Sequence, residues 1–406
     1  MKFNKWTLGL AALGVVSLSS AARADEAKMS QVQTALSNTT LSGYVDTAAI
    51  WRPGTDQNVG SAGVPNIPAS AFSKNDGFYL NAIDLALDKP EDEGPWASGY
   101  HAELMFGPDA VPASVGPNTT VANIRQAYVT LRAPVGKNGI DFKVGVFDTI
   151  IGYESTSDPL NPNYTRSYGY SIEPTTHTGV LATFKASDAM TLSAGIADSS
   201  NVGPAPAAIN GTPTTESQKT YLGSVAFTAP DSFGALKGAT LNLGVIDSVD
   251  SGNGTKVNYY AGLTLPTPNS AVSLGAAFDY LTFYNSTAAA NPSRDNVWVA
   301  GAYTTIKASD KLSFNFRGEI VDATQIGTAT PPPVNISPNP LNGFYAGHYA
   351  GEVTATAAYQ LWANVLSRVE VRWDHVDTDA FGADSTTGAP TKKNDFVIAL
   401  NLIYQF

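Results

Sequence analysis

Residues 396–406, FVIALNLIYQF, alternate with period two up to the final residue. Phe396, Ile398, Leu400, Leu402, Tyr404 and Phe406 fall on one face of an extended chain, and Val397, Ala399, Asn401, Ile403 and Gln405 on the other. Successive strand side chains point to opposite faces, so the segment reads as a strand with one oily and one mixed face. Alone, that pattern fits many folds. Joined to an export leader and many similar segments, it reads as the closing strand of an outer-membrane β-barrel.

The alternation recurs upstream. Met190, Leu192, Ala194 and Ile196 oppose Thr191, Ser193 and Gly195. Val272, Leu274, Ala276, Phe278 and Tyr280 oppose Ser273, Gly275, Ala277 and Asp279. Leu312, Phe314, Phe316 and Ile320 oppose Ser313, Asn315, Arg317 and Glu319. The second sets are too small and polar to build a dry core, so the apolar faces must meet lipid. Closing the sheet then satisfies every backbone group, which hydrocarbon cannot do.

From Leu41 onward the pattern predicts about sixteen strands, within a range of roughly fourteen to eighteen. Short connections (185–188, 266–269, 308–310, 361–364) alternate with long ones rich in Pro, Gly, Asn and Thr (52–76, 107–120, 199–217, 324–343, 378–394). Two connections, 88–97 and 229–238, are longer than the short class requires. Alternating lengths fit an up-and-down barrel, whereas a soluble sandwich would show Greek-key connections of irregular length. The expected fold is therefore all-β, a single transmembrane antiparallel barrel over residues 41–406. Trp51, Tyr79, Tyr100, Tyr345 and Trp373 are expected at its interfacial girdles.

Residues 1–24 hold Lys2 and Lys5, an apolar run over 8–18, and Ala22-Arg23-Ala24. That is the n-region, h-region and small-x-small site of a signal peptide cleaved before Asp25, and the run is too short for a helical span of ~20 residues. Residues 25–40 read as a short periplasmic lead with helical composition. The chain carries a net charge of −11 and, without the leader's Lys2, Lys5 and Arg23, −14. Such a chain has no electrostatic reason to bind nucleic acid, and as a pore it would mildly prefer cations. With no cysteine there are no disulfides or thiolate metal sites. No cofactor is implied. Charged residues make up 15%, below the ~25% of soluble domains, as wet faces built from Gly, Ser, Thr and Asn would give.

Function is read from charges on the wet faces. In residues 365–377, Arg368, Glu370, Arg372 and Asp374 alternate with Val369, Val371 and Trp373. A base facing the bilayer midplane costs roughly 2–4 kcal/mol, so these four should line water. Arg317 and Glu319, with His348 and Glu352 on the strand between, extend the set. Asp46, Asp84, Glu103, Asp141 and Lys143 fall on the wet faces of the opposite wall. The connection over 148–174 contains Tyr153, Glu154, Asp158, Tyr164, Arg166, Tyr168, Tyr170 and Glu173. A loop this long and aromatic is not expected to sit free in water. Folded inward it would narrow the pore, with Arg317, Arg368, Arg372 and Lys143 opposing Asp148, Glu154 and Asp158 across it. The alternative is an external loop packed on its neighbours or on a partner subunit.

Several of these segments carry a resemblance. Ile124-Arg125-Gln126-Ala127-Tyr128, Val146-Phe147-Asp148-Thr149 with Ile151-Gly152-Tyr153-Glu154, residues 161–168, and His177-Thr178-Gly179-Val180 resemble the OmpL-like β-barrel porin family. A wider likeness begins near Ser42-Gly43-Tyr44-Val45-Asp46 and includes Phe106-Gly107-Pro108-Asp109. The family often has Pro where Ile150 or Ile151 stands and Ser in place of Thr165, both minor departures. The resemblance implies an outer-membrane channel. We expect passive diffusion of small hydrophilic solutes through it, among lipid and lipopolysaccharide, with His177 in the pore-lining and constriction set. The resemblance names no solute, and it leaves open a monomer or, as in general porins, a homotrimer.

Two other functions compete. An outer-membrane barrel hydrolase would draw on His101, His177, His348 or His375, but no G-x-S-x-G occurs. A structural or adhesive barrel would have a plugged lumen. Gly252-Asn253-Gly254 lacks the following helix of a phosphate cradle, and Asp247 and Asp250, read as loop residues, lack EF-hand spacing.

Overall fold

In the computed structural model the chain forms sixteen antiparallel strands that close on themselves. Residues 38–55, 74, 76–92, 94–110, 122–198, 219–250, 254–285, 293–325, 349–377, 379, 381–382 and 391–406 are described by the structure. The leader, residues 25–37, Tyr345 and His348 lie outside the described residues.

The first four strands are β1 (Thr40–Trp51), β2 (Gly77–Lys89), β3 (Ser98–Phe106) and β4 (Ala122–Ala133). Then come β5 (Ile140–Asp148), β6 (Thr176–Lys185), β7 (Met190–Ala197) and β8 (Thr220–Thr228). The second half opens with β9 (Thr240–Asp250), β10 (Gly254–Pro266), β11 (Val272–Asn285) and β12 (Ser293–Lys307). It ends with β13 (Leu312–Gln325), β14 (Tyr349–Trp362), β15 (Val365–Val376) and β16 (Asn394–Gln405).

Each strand pairs with its chain neighbours, and β16 pairs with β1 from Tyr44 opposite Gln405 to Trp51 opposite Ile398. Gly43 and Phe406 exchange backbone hydrogen bonds of 3.1 and 3.0 Å across this seam. Phe396, Leu400, Leu402 and Tyr404 are 42–55% exposed, whereas Val397, Ala399, Asn401 and Ile403 are at most 3% exposed. The oily face is outside. The same holds on β13, where Phe314, Phe316 and Ile320 point out and Asn315, Arg317 and Glu319 are buried. Apolar side chains thus cover the outside of the ring, and every strand is paired on both sides.

The connections 90–97 and 229–239, long for their class, join β2 to β3 and β8 to β9 on the short-turn rim. The second contains a 3-10 turn over Asp231–Leu236. Asp247 and Asp250 belong to β9, not to a loop.

The aromatic girdle needs one correction. Trp51 and Trp373 are exposed on the outside, but Tyr79 packs inward against Ala48, Ile50 and Tyr164. A register shift opposite Asp46 and Thr47 leaves Asn81 unpaired in β2. Such a bulge inverts the alternation, so residues before it face opposite to the extrapolated pattern.

Candidate functional site

Residues 149–175, between β5 and β6, leave the wall and cross the barrel. The Asp158 amide donates to Tyr44 Oη of β1 at 3.4 Å. The amides of Tyr164 and Thr165 donate to Glu370 of β15 at 2.6 and 2.9 Å. Those of Tyr168 and Gly169 donate to Glu319 of β13 at 2.5 and 3.3 Å. Asn258 of β10 donates to the Ile172 carbonyl at 2.8 Å. A segment that starts at β5 and touches β1, β10, β13 and β15 of a closed ring can only lie inside it. Its one α-helix, α1 (Tyr168–Ile172), is capped by Ser167, whose side chain accepts from the Tyr170 amide at 2.9 Å.

The wall beneath the loop is built in rows. Arg317, Thr354 and Arg372 stand opposite one another on β13, β14 and β15, and Glu319, Glu352 and Asp374 form the next row. Like charges directly opposite repel, so the acidic row needs donors. Arg317 supplies them: it donates to Glu352 at 2.7 Å, to Glu154 of the loop at 2.7 Å and to the Thr165 carbonyl at 2.6 Å. Arg372 donates to both Asp374 oxygens at 2.8 Å and to the Arg166 carbonyl at 2.7 Å. Tyr168 Oη completes Asp374 at 2.7 Å.

Arg368 donates to the carbonyls of Asn163 and Asp158 at 2.8 and 2.7 Å. Arg166 bonds Asp158 at 2.5 Å within the loop. Desolvating charges costs several kcal/mol per ion, and hydrogen bonds offset it; of these groups, Arg368 Nε, Arg166 Nη1 and Asp158 Oδ2 are buried without a hydrogen-bond partner.

These positions depart from the expectation of charges lining water. Arg317, Arg368 and Arg372 are 0–2% exposed, and of the acids meant to oppose them Glu154 pairs with Arg317, Asp158 gives its carbonyl to Arg368, and Asp148 pairs with Arg125 instead. Their guanidiniums hold the loop. Sequence alternation places a side chain inside the ring but is silent on whether water or a loop meets it.

A second set of contacts is apolar. A Cβ at Gly275 would come within 1.8 Å of Tyr153 Oη, and one at Gly244 within 2.4 Å of Ile151 Cγ2. Bare wall at those two glycines is what lets the loop approach. Tyr153 also stacks on Tyr303 at 4.0 Å between centroids. A third set comes from the long-loop rim. Lys74 Nζ reaches Asn81 at 2.6 Å, Asp109 at 2.8 Å and Tyr164 Oη at 3.5 Å. Burial works against this ammonium, yet the Asp109 charge holds its pKa above the ordinary lysine value. Arg52 and Thr55 bind Asp395 nearby.

At the foot of the loop, Asp148 receives both Arg125 nitrogens at 2.6 and 2.8 Å, and Arg125 also pairs Glu103 at 3.0 Å. His177 is buried there, its Nε2 3.2 Å from Thr149 Oγ1. Lys143, half-buried, lies with its Nζ 4.6 Å from the Tyr128 ring centre, and His101 stacks on the same ring at 5.3 Å. Glu173 is buried against Asp279 of β11. Burial first, then the Asp279 charge, raises its pKa well above the carboxylate range.

Arg125, Arg52, Lys74 and the two glycines escape the sequence reading. Arg125 sits at a register shift in β3–β4 pairing, and Lys74 and Arg52 lie in loops without periodicity. Only the glycines, as strand-interior glycines, carried a readable sign of close approach. Among the described residues no group of three His, Asp or Glu is placed to hold a metal ion.

A closed ring with an apolar exterior and a loop drawn across its lumen defines an outer-membrane channel. The chain belongs to the family described as "Putative beta-barrel porin-2, OmpL-like", whose model matches residues 38–406, and is an outer-membrane porin. Solved structures share the fold. The outer-membrane channel DcaP of Acinetobacter baumannii superposes with a TM-score of 0.57 at 12% identity, covering 91% of this chain and 97% of its own. An anion-selective porin from Comamonas acidovorans gives 0.56 at 12% identity over 91% and 99% of the two chains. The trimer form of Vibrio cholerae OmpT gives 0.56 at 12% identity, again over 91% and 99%. No curated protein matches the chain in sequence.

Proposed function

We propose that the protein passes small hydrophilic solutes and ions by diffusion through a water-filled lumen narrowed by residues 149–175. The observation that carries this reading is the loop itself, seated inside a ring whose outer face is apolar. Arg317, Glu319, Glu352, Arg368, Glu370, Arg372 and Asp374 set the constriction by holding Glu154, Asp158, Arg166 and the loop backbone. Lys143 and Asp148, with the neighbouring His177, belong to the opposite side of the passage. Channel activity requires no catalytic group, and the reading excludes a hydrolase. We further propose cleavage before Asp25, a lipid and lipopolysaccharide environment, and assembly as a homotrimer, for which the trimeric OmpT likeness is the support. Purified protein added to planar bilayers should give stepwise conductance increments. A silent bilayer with correctly folded protein overturns the channel in favour of a plugged barrel.

A further inference from the structure

Under the loop, on the short-turn side, lies a hollow of about 540 Å³, within the ~300–1,000 Å³ of small-molecule sites. Loop residues 159–162 and Tyr153 form its roof, and side chains of β10, β12 and β13 its wall. A second hollow of about 580 Å³ shares Ser313, Ala358 and Leu366 with it and runs to the short turns at Ser270 and Ser309. The upper hollow is therefore reached from that rim.

Its lining is mostly uncharged. No carboxylate lines it, and its one cation, Arg368, donates to the carbonyls of Asn163 and Asp158, with its Nε buried and without a hydrogen-bond partner. Asn161 is spent on Ser155 and Ser157 at 2.7–3.0 Å. What the hollow offers is Asn315 and the hydroxyls of Thr264, Thr305 and Ser313, with Thr305 donating to Asn315 at 3.0 Å and Ser313 accepting from it at 3.3 Å, beside the rings of Tyr153 and Tyr260. Tyr153 is fixed by its stack on Tyr303. A cation entering here loses water and finds no carboxylate in the lining. A neutral ring with apolar C–H faces and hydroxyls at its edge meets both kinds of partner, since each hydroxyl both donates and accepts.

We propose that this hollow is a saccharide subsite, in which a sugar ring lies on Tyr153 and Tyr260 and bonds Thr264, Thr305 and Ser313. The proposal rests on the channel reading for its purpose but is measurable without conduction. Calorimetric titration of the mature protein with maltose and with glucose, in a detergent free of sugar, should show saturable binding. Thr264→Val/Ser313→Ala, which touches none of the ion pairs seating the loop, should weaken it about tenfold, the ratio that 1.4 kcal/mol represents. Ser193→Ala, on the far wall and outside the hollow, should bind as the native protein does. In planar bilayers maltose should block the current saturably, more steeply from the short-turn side. Absence of binding overturns the subsite, as does equal affinity in the double variant or preference for gluconate over glucose. Absence of current with binding intact overturns only the channel.

Discussion

The wall made by β13, β14 and β15 and the wall made by β6, β7 and β8 face different demands. The first has strands of 14, 14 and 12 residues and buries Arg317, Glu319, Glu352, Arg368, Glu370, Arg372 and Asp374 under the loop. The second has strands of 10, 8 and 9 residues whose inward positions include His177, Gly179, Leu181, Thr183, Ser193, Gly195, Ala197, Leu222 and Ser224. The charge-rich wall is thus the one from which water is excluded. Dense alternating charge here marks the seat of a loop.

The largest expected effect of breaking this contrast is at Arg317. Arg317→Ala strands Glu154 and Glu352 as buried charges, which costs about 3–5 kcal/mol. The thermal transition of the folded barrel on a gel should fall steeply, and surviving channels should conduct several-fold more as the loop leaves the lumen. Ser193→Ala on the opposite wall should stay within about 0.5 kcal/mol. Reversing Arg368 and Arg372 together should likewise raise conductance by unseating the loop. A pure shift in reversal potential, with conductance unchanged, would instead return both to the water-lined path.

Next in size is the glycine seat. Gly275→Val drives a methyl group into Tyr153 and should cost about 1–3 kcal/mol. At Gly223 a Cβ meets nothing nearer than 3.7 Å, so Gly223→Ala should leave the transition in place. Melting curves of the two variants decide the matter.

Glu173 provides a pH test. Its folded pKa is raised, so the native state holds this proton above the pH at which the unfolded chain, titrating near 4.5, releases it. Stability from this group is full below that value and declines as pH rises through the folded pKa. Melting temperature should drop with rising pH, and Glu173→Gln should flatten the decline. The smallest expected effect is at Lys143. Lys143→Glu should shift the reversal potential toward cations while changing stability by no more than about 0.5 kcal/mol.

Most of the ring was legible because lipid enforces one rule on every strand: apolar out, period two. Residues 396–406 and 312–320 obey it, and the structure places each side chain on the expected face. Tyr79 shows where the rule fails, because one unpaired residue at Asn81 reverses parity and no residue type announces it. The inward loop was legible from its length and tyrosines. Its grip was not, since Arg317 reaching Glu154 joins positions 163 apart in sequence, and Lys74 with Asp109 joins two rim loops. Such pairings are products of closure, which local pattern does not encode.

The bond between Gly43 and Phe406 has a kinetic consequence. Every other strand pairing joins chain neighbours and can zip locally, whereas this one waits for both termini to meet around the whole circumference. The entropic toll of so large a ring grows only logarithmically with length, so the step is slow to find yet cheap to keep. Until the seam shuts, two strand edges remain unsatisfied in hydrocarbon, and assembly should show a late, concerted phase in which the molecule becomes a cylinder.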